Sequence, residues 1–203
     1  MNVQVHYDLG FLAGVYYNNR LQLNSYRTSI SMLTQTTDKV EINTAVERLK
    51  CFIDIELANT VFINQNLTDV ATGMNVIGAN ITTLPDEPVD QIVGMMLYCK
   101  LNAIMEGRVV VTKIDISSIL GEDFWYIHED GDNPGPFDKD GWWHSSDTKH
   151  NTFTQIELDD NVLKVTPPAW SEYDLTWPED DLEPTANTVV FANFSRNEDN
   201  PVR

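Results

Sequence analysis

The chain has 203 residues, 42% of them hydrophobic and 22% charged, a balance that predicts a globular fold with a core large enough to need neither disulfide nor metal. Thirteen Lys and Arg stand against 31 Asp and Glu, a formal net charge of −18, which disfavours direct binding to a phosphate backbone or an anionic membrane, since that affinity comes from cations. The longest apolar stretch, Ile92 to Cys99, is far short of the ~20 residues that span a bilayer.

Residues 3 to 7 alternate apolar and polar, and Phe11 to Tyr17 is an apolar run interrupted by Gly14, so the chain is expected to open with a pair of short strands. Asn24 to Thr36 places Tyr26, Ile30 and Leu33 at helical spacing and predicts a first helix. Asp38 with Glu41 three residues on reads as a capping box. Val40, Ala45, Val46, Leu49, Phe52, Ile53 and Leu57 then continue the period of an amphipathic helix over about 39–59.

Leu84-Pro85-Asp86-Glu87-Pro88 supplies helix-start chemistry, and a further helix is expected from Val89 to Glu106, ending at Gly107. Its apolar members lie nearly all round, which implies burial on most faces, with Met95, Met96 and Met105 as core filling. After Gly107 the period becomes two. Strands are expected around Val109 to Ser117, Phe124 to Ile127, Trp142-Trp143, Phe153 to Leu158, Val162 to Val165 and Val189 to Phe191. The expectation is a single α+β domain over 1–203. A helical layer, about 24–107, would pack on a mostly antiparallel sheet formed largely by an acidic C-terminal half, about 108–203. No basic segment followed by an apolar one opens the chain, so cytoplasmic residence with two reduced thiols, Cys51 and Cys99, is expected.

The charge is unevenly placed. Asp115 to Glu183 holds 18 acidic residues against three lysines, and the other 134 residues have a net charge of only −3. All five tryptophans and three of the four histidines fall inside the same acidic stretch. One reading is a solvated acidic layer over a second small core. The other is an interaction surface, because carboxylates this dense repel one another and a cationic partner would relieve them. On the second reading Trp125, Trp142 and Trp143 are the anchors, while Glu129, Asp130, Asp132, Asp138 and Asp140 steer a basic partner.

The segment His128 to Gly141 carries Asp130, Asp132 and Gly135 at positions one, three and six of a calcium loop. Pro134 and Gly141 occupy positions five and twelve, so it fails as an EF-hand. A looser oxygen site from Asp130, Asp132, Asp138 and Asp140 is the alternative to a solvated hairpin loop. His128, His144 and His150 with Asp147 have the ligand types of a transition-metal site, although their spacing matches no established pattern. A divalent metal is therefore a conditional cofactor, and a metal-dependent hydrolase is the enzymatic alternative. No phosphate-binding loop, GxSxG elbow or dinucleotide fingerprint occurs.

The block from Leu84 to Arg108, with Trp125-Tyr126-Ile127-His128 and Gly141-Trp142-Trp143, resembles small uncharacterised proteins of tailed bacteriophages. The resemblance covers about residues 36 to 150 and transfers no site residue. It implies a phage product of the host cytoplasm or the virion: an accessory protein that binds and modulates or inhibits a basic host factor, including those that imitate the charge of DNA, or else a structural component of the particle.

Overall fold

In the computed structural model, residues 3–148, 155–158, 161–164 and 168–178 are described. The chain opens with a long hairpin of β1 (Gln4–Tyr17) and β2 (Arg20–Thr34), paired throughout from Gln4 opposite Leu33 to Tyr17 opposite Arg20. Asn18 and Asn19 both take positive φ, 49° and 57°, the conformation of a two-residue hairpin turn whose twist matches that of its strands. Gly14 does not interrupt β1, which is one strand where two were expected.

The predicted first helix at Asn24–Thr36 is β2. Tyr26, Thr28, Ile30 and Met32 are all buried, a period of two along one face of the sheet. Apolar residues four apart fit that alternation as well as they fit a helix, and pairing with β1 decides the matter. Strands therefore begin at residue 4, and the expected division into N-terminal helices and C-terminal sheet is corrected. The class is α+β.

Helix α1 (Lys39–Cys51) runs on into a π-helical turn, Phe52–Leu57, close to the expected 39–59. Asp38 caps it by accepting from the Val40 N–H at 2.7 Å, but Glu41 accepts from Thr36 Oγ1 instead of closing the box. Three short elements follow: β3 (Val61–Asn64), α2 (Thr68–Val76) and β4 (Ile81–Leu84). Helix α3 (Asp90–Met105) leads into β5 (Val109–Ser118) and β6 (Tyr126–Glu129). The six strands form one sheet in the order β4-β3-β1-β2-β5-β6. It is mixed: β1 with β3 and β3 with β4 pair parallel, the others antiparallel. A separate hairpin joins β7 (Gln155–Leu158) and β8 (Asn161–Lys164), while the expected strand at Val189 to Phe191 lies outside the described residues.

One apolar cluster joins β1, β2, β5, α1 and α3, with Tyr26 stacked on Phe11 at 4.9 Å and Phe62 set edge-on to both. Ile63, the neighbour of Phe62, points the other way into a smaller cluster with Ala71 of α2 and Ile81. Eleven of the sixteen residues of α3 are buried, Met95, Met96 and Met105 among them. Gly94 is what lets α3 lie against β5, since a Cβ there would meet the Ile116 methyl at 2.8 Å. Cys51 and Cys99 are free and half-buried, and burial pushes the Cys99 thiol up to about 11.

The acidic half wraps this helix instead of forming a layer of its own. Trp142-Trp143, expected as a strand, is a 3-10 turn (Trp142–His144) packed on α3. Lys100, fully buried on α3, donates to the carbonyls of Ser145 (2.7 Å), Asp147 (2.8 Å) and Trp142 (3.3 Å). Burial lowers its ammonium to about 8, against attraction from Asp147 and Glu56. The segment 168–178 is held similarly. The guanidinium groups of Arg48 (3.9 Å) and Arg108 (4.4 Å) both lie over the Trp177 ring, and Arg48 also donates to the Leu175 carbonyl at 2.7 Å.

Replacing Lys100 by Met keeps the apolar stem but leaves three carbonyls without their donor. At about 1 kcal/mol or more for each, Lys100→Met is expected to lower stability by about 3 kcal/mol. That corresponds to a melting midpoint about 6–12 °C lower for a chain of this size. An unchanged midpoint by calorimetry would show that Lys100 does not secure the loop.

Candidate protein-docking edge

Among the described residues, strand β6 is the last strand of the sheet, and one of its backbone edges has no neighbouring strand. Ile116 pairs with Tyr126 and Ile114 with His128, which puts Tyr126 and His128 on the face that α3 covers. Ile127 and Glu129 share the opposite face with Asp115 and Lys113. Burial is incomplete on both faces: Phe124 is 67% exposed, Trp125 52%, and Tyr126 and Ile127 are exposed as well. Four consecutive large apolar residues in water, beside exposed Ile119 and Leu120, form the kind of patch that marks an interaction site.

Carboxylates surround this run. Between residues 122 and 140 the sequence places seven acidic residues and one lysine, and Glu122, Asp123, Glu129, Asp130, Asp132, Asp138 and Asp140 are all exposed. Two are engaged by cations: Asp123 pairs with Arg27, and Lys113 lies 3.8 Å from Glu129 and 3.1 Å from Asp115.

The structure brings His128, Asp130 and Asp132 together. His128 meets the Tyr98 ring edge-on at 4.7 Å, the Tyr98 hydroxyl donates to Asp130 at 3.4 Å, and Asp132 Oδ2 lies 3.9 Å from His128 Nδ1. Asp132 Oδ2 also accepts the Glu129 N–H at 2.9 Å, which closes the turn after β6. Burial holds the His128 imidazole below its ordinary value, with Asp132 opposing, and the same cause raises the Tyr98 phenol to about 12. A groove of about 220 Å³ between α3 and β6 is lined by Met95, Ile114, Tyr126, His128 and Asp132.

His144 and Asp147 do not join them. His144 Nε2 is 2.8 Å from the Phe137 carbonyl, Asp147 accepts from Ser145 at 2.7 Å, and His150 lies outside the described residues. Among the described residues, no group of three or more His, Cys, Asp or Glu side chains is arranged to hold a metal ion.

The tryptophans divide. Trp143 is 5% exposed, with its indole N–H near the carbonyls of Phe137 (3.2 Å) and Lys139 (3.1 Å), so it is core and not an exposed anchor. Trp142 is half-buried and donates to the Thr83 carbonyl at 3.0 Å. An indole whose N–H finds a carbonyl gains more by burying its ring than by facing water. Of the expected anchors, Trp125 alone stands out in solvent.

A second cavity, of about 300 Å³, begins on the other side of Tyr126, which lines both. Asp90, in the first turn of α3, is part of its wall. Oδ1 of Asp90 accepts from the Ser118 hydroxyl at 2.7 Å, and that hydroxyl accepts the Gly121 N–H at 3.1 Å. Oδ2 is buried and has no hydrogen-bond partner among the described residues. Gly121 closes over it so tightly that a Cβ would come within 2.2 Å. Burial raises the Asp90 carboxyl above the ordinary range, and hydrogen bonds from Ser118 offset part of that. The sequence signalled this carboxylate only as helix-start chemistry, because its partners lie on a distant strand and turn.

No family model matches the chain, and no curated protein matches it. Among solved structures it is similar to an uncharacterized protein from Wolinella succinogenes, with 12% identity, 64% of this chain and 99% of that chain covered, and a TM-score of 0.47. No helix among the described residues is long and apolar enough to cross a membrane.

His128 is expected to titrate below the ordinary histidine value of about 6.5 in an NMR pH series. Asp132→Asn removes the charge that favours the imidazolium and lowers the midpoint further. Because the folded value is depressed, the stability linked to His128 is fully present above about 6.5 and is lost as pH falls through the folded value. A midpoint at or above 6.5, or an upward shift in Asp132→Asn, would contradict the assigned environment.

Proposed function

We propose that the protein is a non-enzymatic binding protein that docks on a basic partner protein through the β6 edge and its acidic surround. The observation that carries this reading is the exposed run Phe124 to Ile127 set among seven carboxylates and one lysine between residues 122 and 140. Apolar rings bury area on contact, and the charged rim steers a cationic surface and fixes its register. The anchors are Phe124, Trp125 and Ile127. The steering groups are Glu129, Asp130, Asp132, Asp138 and Asp140. Trp142 and Trp143 pack on α3 and are not part of the contact surface.

The net charge of −18 makes a basic protein a better partner than nucleic acid or an anionic membrane. The resemblance to tailed-phage proteins supports a host target in the bacterial cytoplasm, a nucleic-acid-handling or defence factor. The acidic edge would modulate or inhibit it by occupying a surface otherwise used for a phosphate backbone.

A basic partner recovered from host lysate and then purified provides the test. Phe124→Ala/Trp125→Ala is expected to weaken its binding by about tenfold or more, which is about 1.4 kcal/mol, without moving the melting midpoint. Asp130→Asn/Asp132→Asn is expected to slow association and flatten its dependence on salt. Unchanged affinity in the folded aromatic double variant, or association indifferent to salt, would remove the basis for this surface.

A further inference from the structure

The cavity beside Asp90 adjoins the proposed docking edge through Tyr126, which belongs to β6 and lines the cavity wall. Val15, Val89 and Leu120 make much of the remaining wall apolar, and Val89, Leu120 and Tyr126 are exposed at its mouth. A cavity of about 300 Å³ holds one extended side chain and is too small for a peptide. Among its described lining residues Asp90 carries the one charge, and none is Lys, Arg or His.

The state of that carboxylate points to a ligand. Asp90 is 5% exposed, and its Oδ2 is closed off without a hydrogen-bond partner among the described residues. Burying a carboxylate oxygen unpaired is costly, and native structures keep few such groups without a use. Its position in the first turn of α3 offsets part of the cost through the helix dipole. The helix end explains why a carboxylate is tolerated here, but it supplies no donor to Oδ2. A group that completes the site therefore has an apolar stem for the Val15, Val89 and Leu120 wall and a cationic, hydrogen-bond-donating head for Asp90.

We propose that this cavity is a specificity pocket for a basic side chain, an alkylammonium or alkylguanidinium group presented by the partner, with Asp90 as its counter-ion and the Leu120-Gly121 turn yielding to admit it. This rests on the docking reading above and deepens it. The exposed aromatic run supplies contact area, and the pocket reads one Lys or Arg. The stem lies along Val89, Leu120 and Tyr126 while the head replaces the missing partner of Oδ2. A carboxylate site of this kind selects cations over isosteric neutral groups because the neutral group leaves the charge unpaired.

The test uses the full chain, isotopically labelled, with n-butylammonium and n-butylguanidinium as probes and n-butanol as the neutral isostere. Saturable shifts at the amides of Val89, Asp90, Leu120 and Gly121 are expected, with n-butanol at least about tenfold weaker. Asp90→Asn, which keeps the bond from Ser118, is expected to abolish the preference for cations. Leu120→Trp, which fills the cavity and leaves Asp90 intact, is expected to abolish binding of both cations. Equal response to n-butanol and n-butylammonium, or cation binding unchanged in Asp90→Asn, would overturn the pocket.

A second arm separates the pocket from the docking reading. The purified basic partner should lose about tenfold in affinity with Asp90→Asn and be displaced by n-butylguanidinium, whereas the exposed aromatic residues are untouched by that variant. A partner that binds Asp90→Asn as well as wild type, but is lost in Phe124→Ala/Trp125→Ala, would overturn the assignment of the pocket to a partner side chain while the docking edge stands. Cations that bind at Asp90 when no basic protein docks would assign the pocket to free amines, and the partner assignment would fall.

Discussion

Helix α3 has almost no face left for water, and the arrangement around it follows from that constraint. A helix apolar nearly all round has to be covered on more than one side. The sheet covers one side through β5, with Gly94 seated on Ile116, and α1 covers another. The remaining cover comes from the segment around Trp142–His144, which packs on α3. The most acidic stretch of the chain is thereby recruited as structure. Lys100 makes the arrangement specific, since a buried ammonium needs acceptors and this one takes the carbonyls of Trp142, Ser145 and Asp147. The loop that bears Asp138 and Asp140 is consequently tied at its C-terminal end to the same helix that forms the groove behind β6.

The acidic half and its aromatic residues thus serve two purposes that composition merges. Trp143 and Trp177 are core residues, and the second is contacted by Arg48 and Arg108, two of the few cations available. Placing those arginines over indole rings at the end of α1 and after α3 keeps them away from the edge where carboxylates dominate. The surround of β6 keeps few cations, Arg27 on Asp123, Lys113 near Glu129 and Lys139, while Arg48 and Arg108 are used in contacts that hold the segment 168–178.

Much of the local structure was legible because its signal was local. The cap at Asp38, the start of α3 after Pro88 and the alternation of β5 all depend on neighbours in sequence. Elements whose identity depends on partners were not legible. Tyr26 and Ile30 have a spacing shared by a helix and by alternate positions of a strand, Leu33 fits the helix alone and is only half-buried in β2, and pairing with β1 makes β2 a strand. Strands β3 and β4 are four residues each, too short to display a period. At the site, His128, Asp130 and Asp132 were identifiable because they are near one another in the chain. Phe124 to Ile127 read as a strand, with Trp125 as an anchor, but its place at the edge of the sheet is invisible in sequence. Asp90 gains its meaning from Ser118, 28 residues away, and from Gly121. Lys100 did carry a signal, since a lone cation inside an otherwise enclosed helix must find acceptors.

The position of β6 has a colloidal consequence. A strand edge that carries Phe124 to Ile127 and has no neighbouring strand among the described residues is a template on which copies of the same chain can pair. It is bracketed by Glu122 and Asp123 before it and by Glu129 and Asp130 after it, which is where gatekeeper charges restrain self-association of an apolar strand. These carboxylates guard the edge only while they are ionised and unscreened. Acid or concentrated salt disarms the guard, and the same rings then become a route to aggregation.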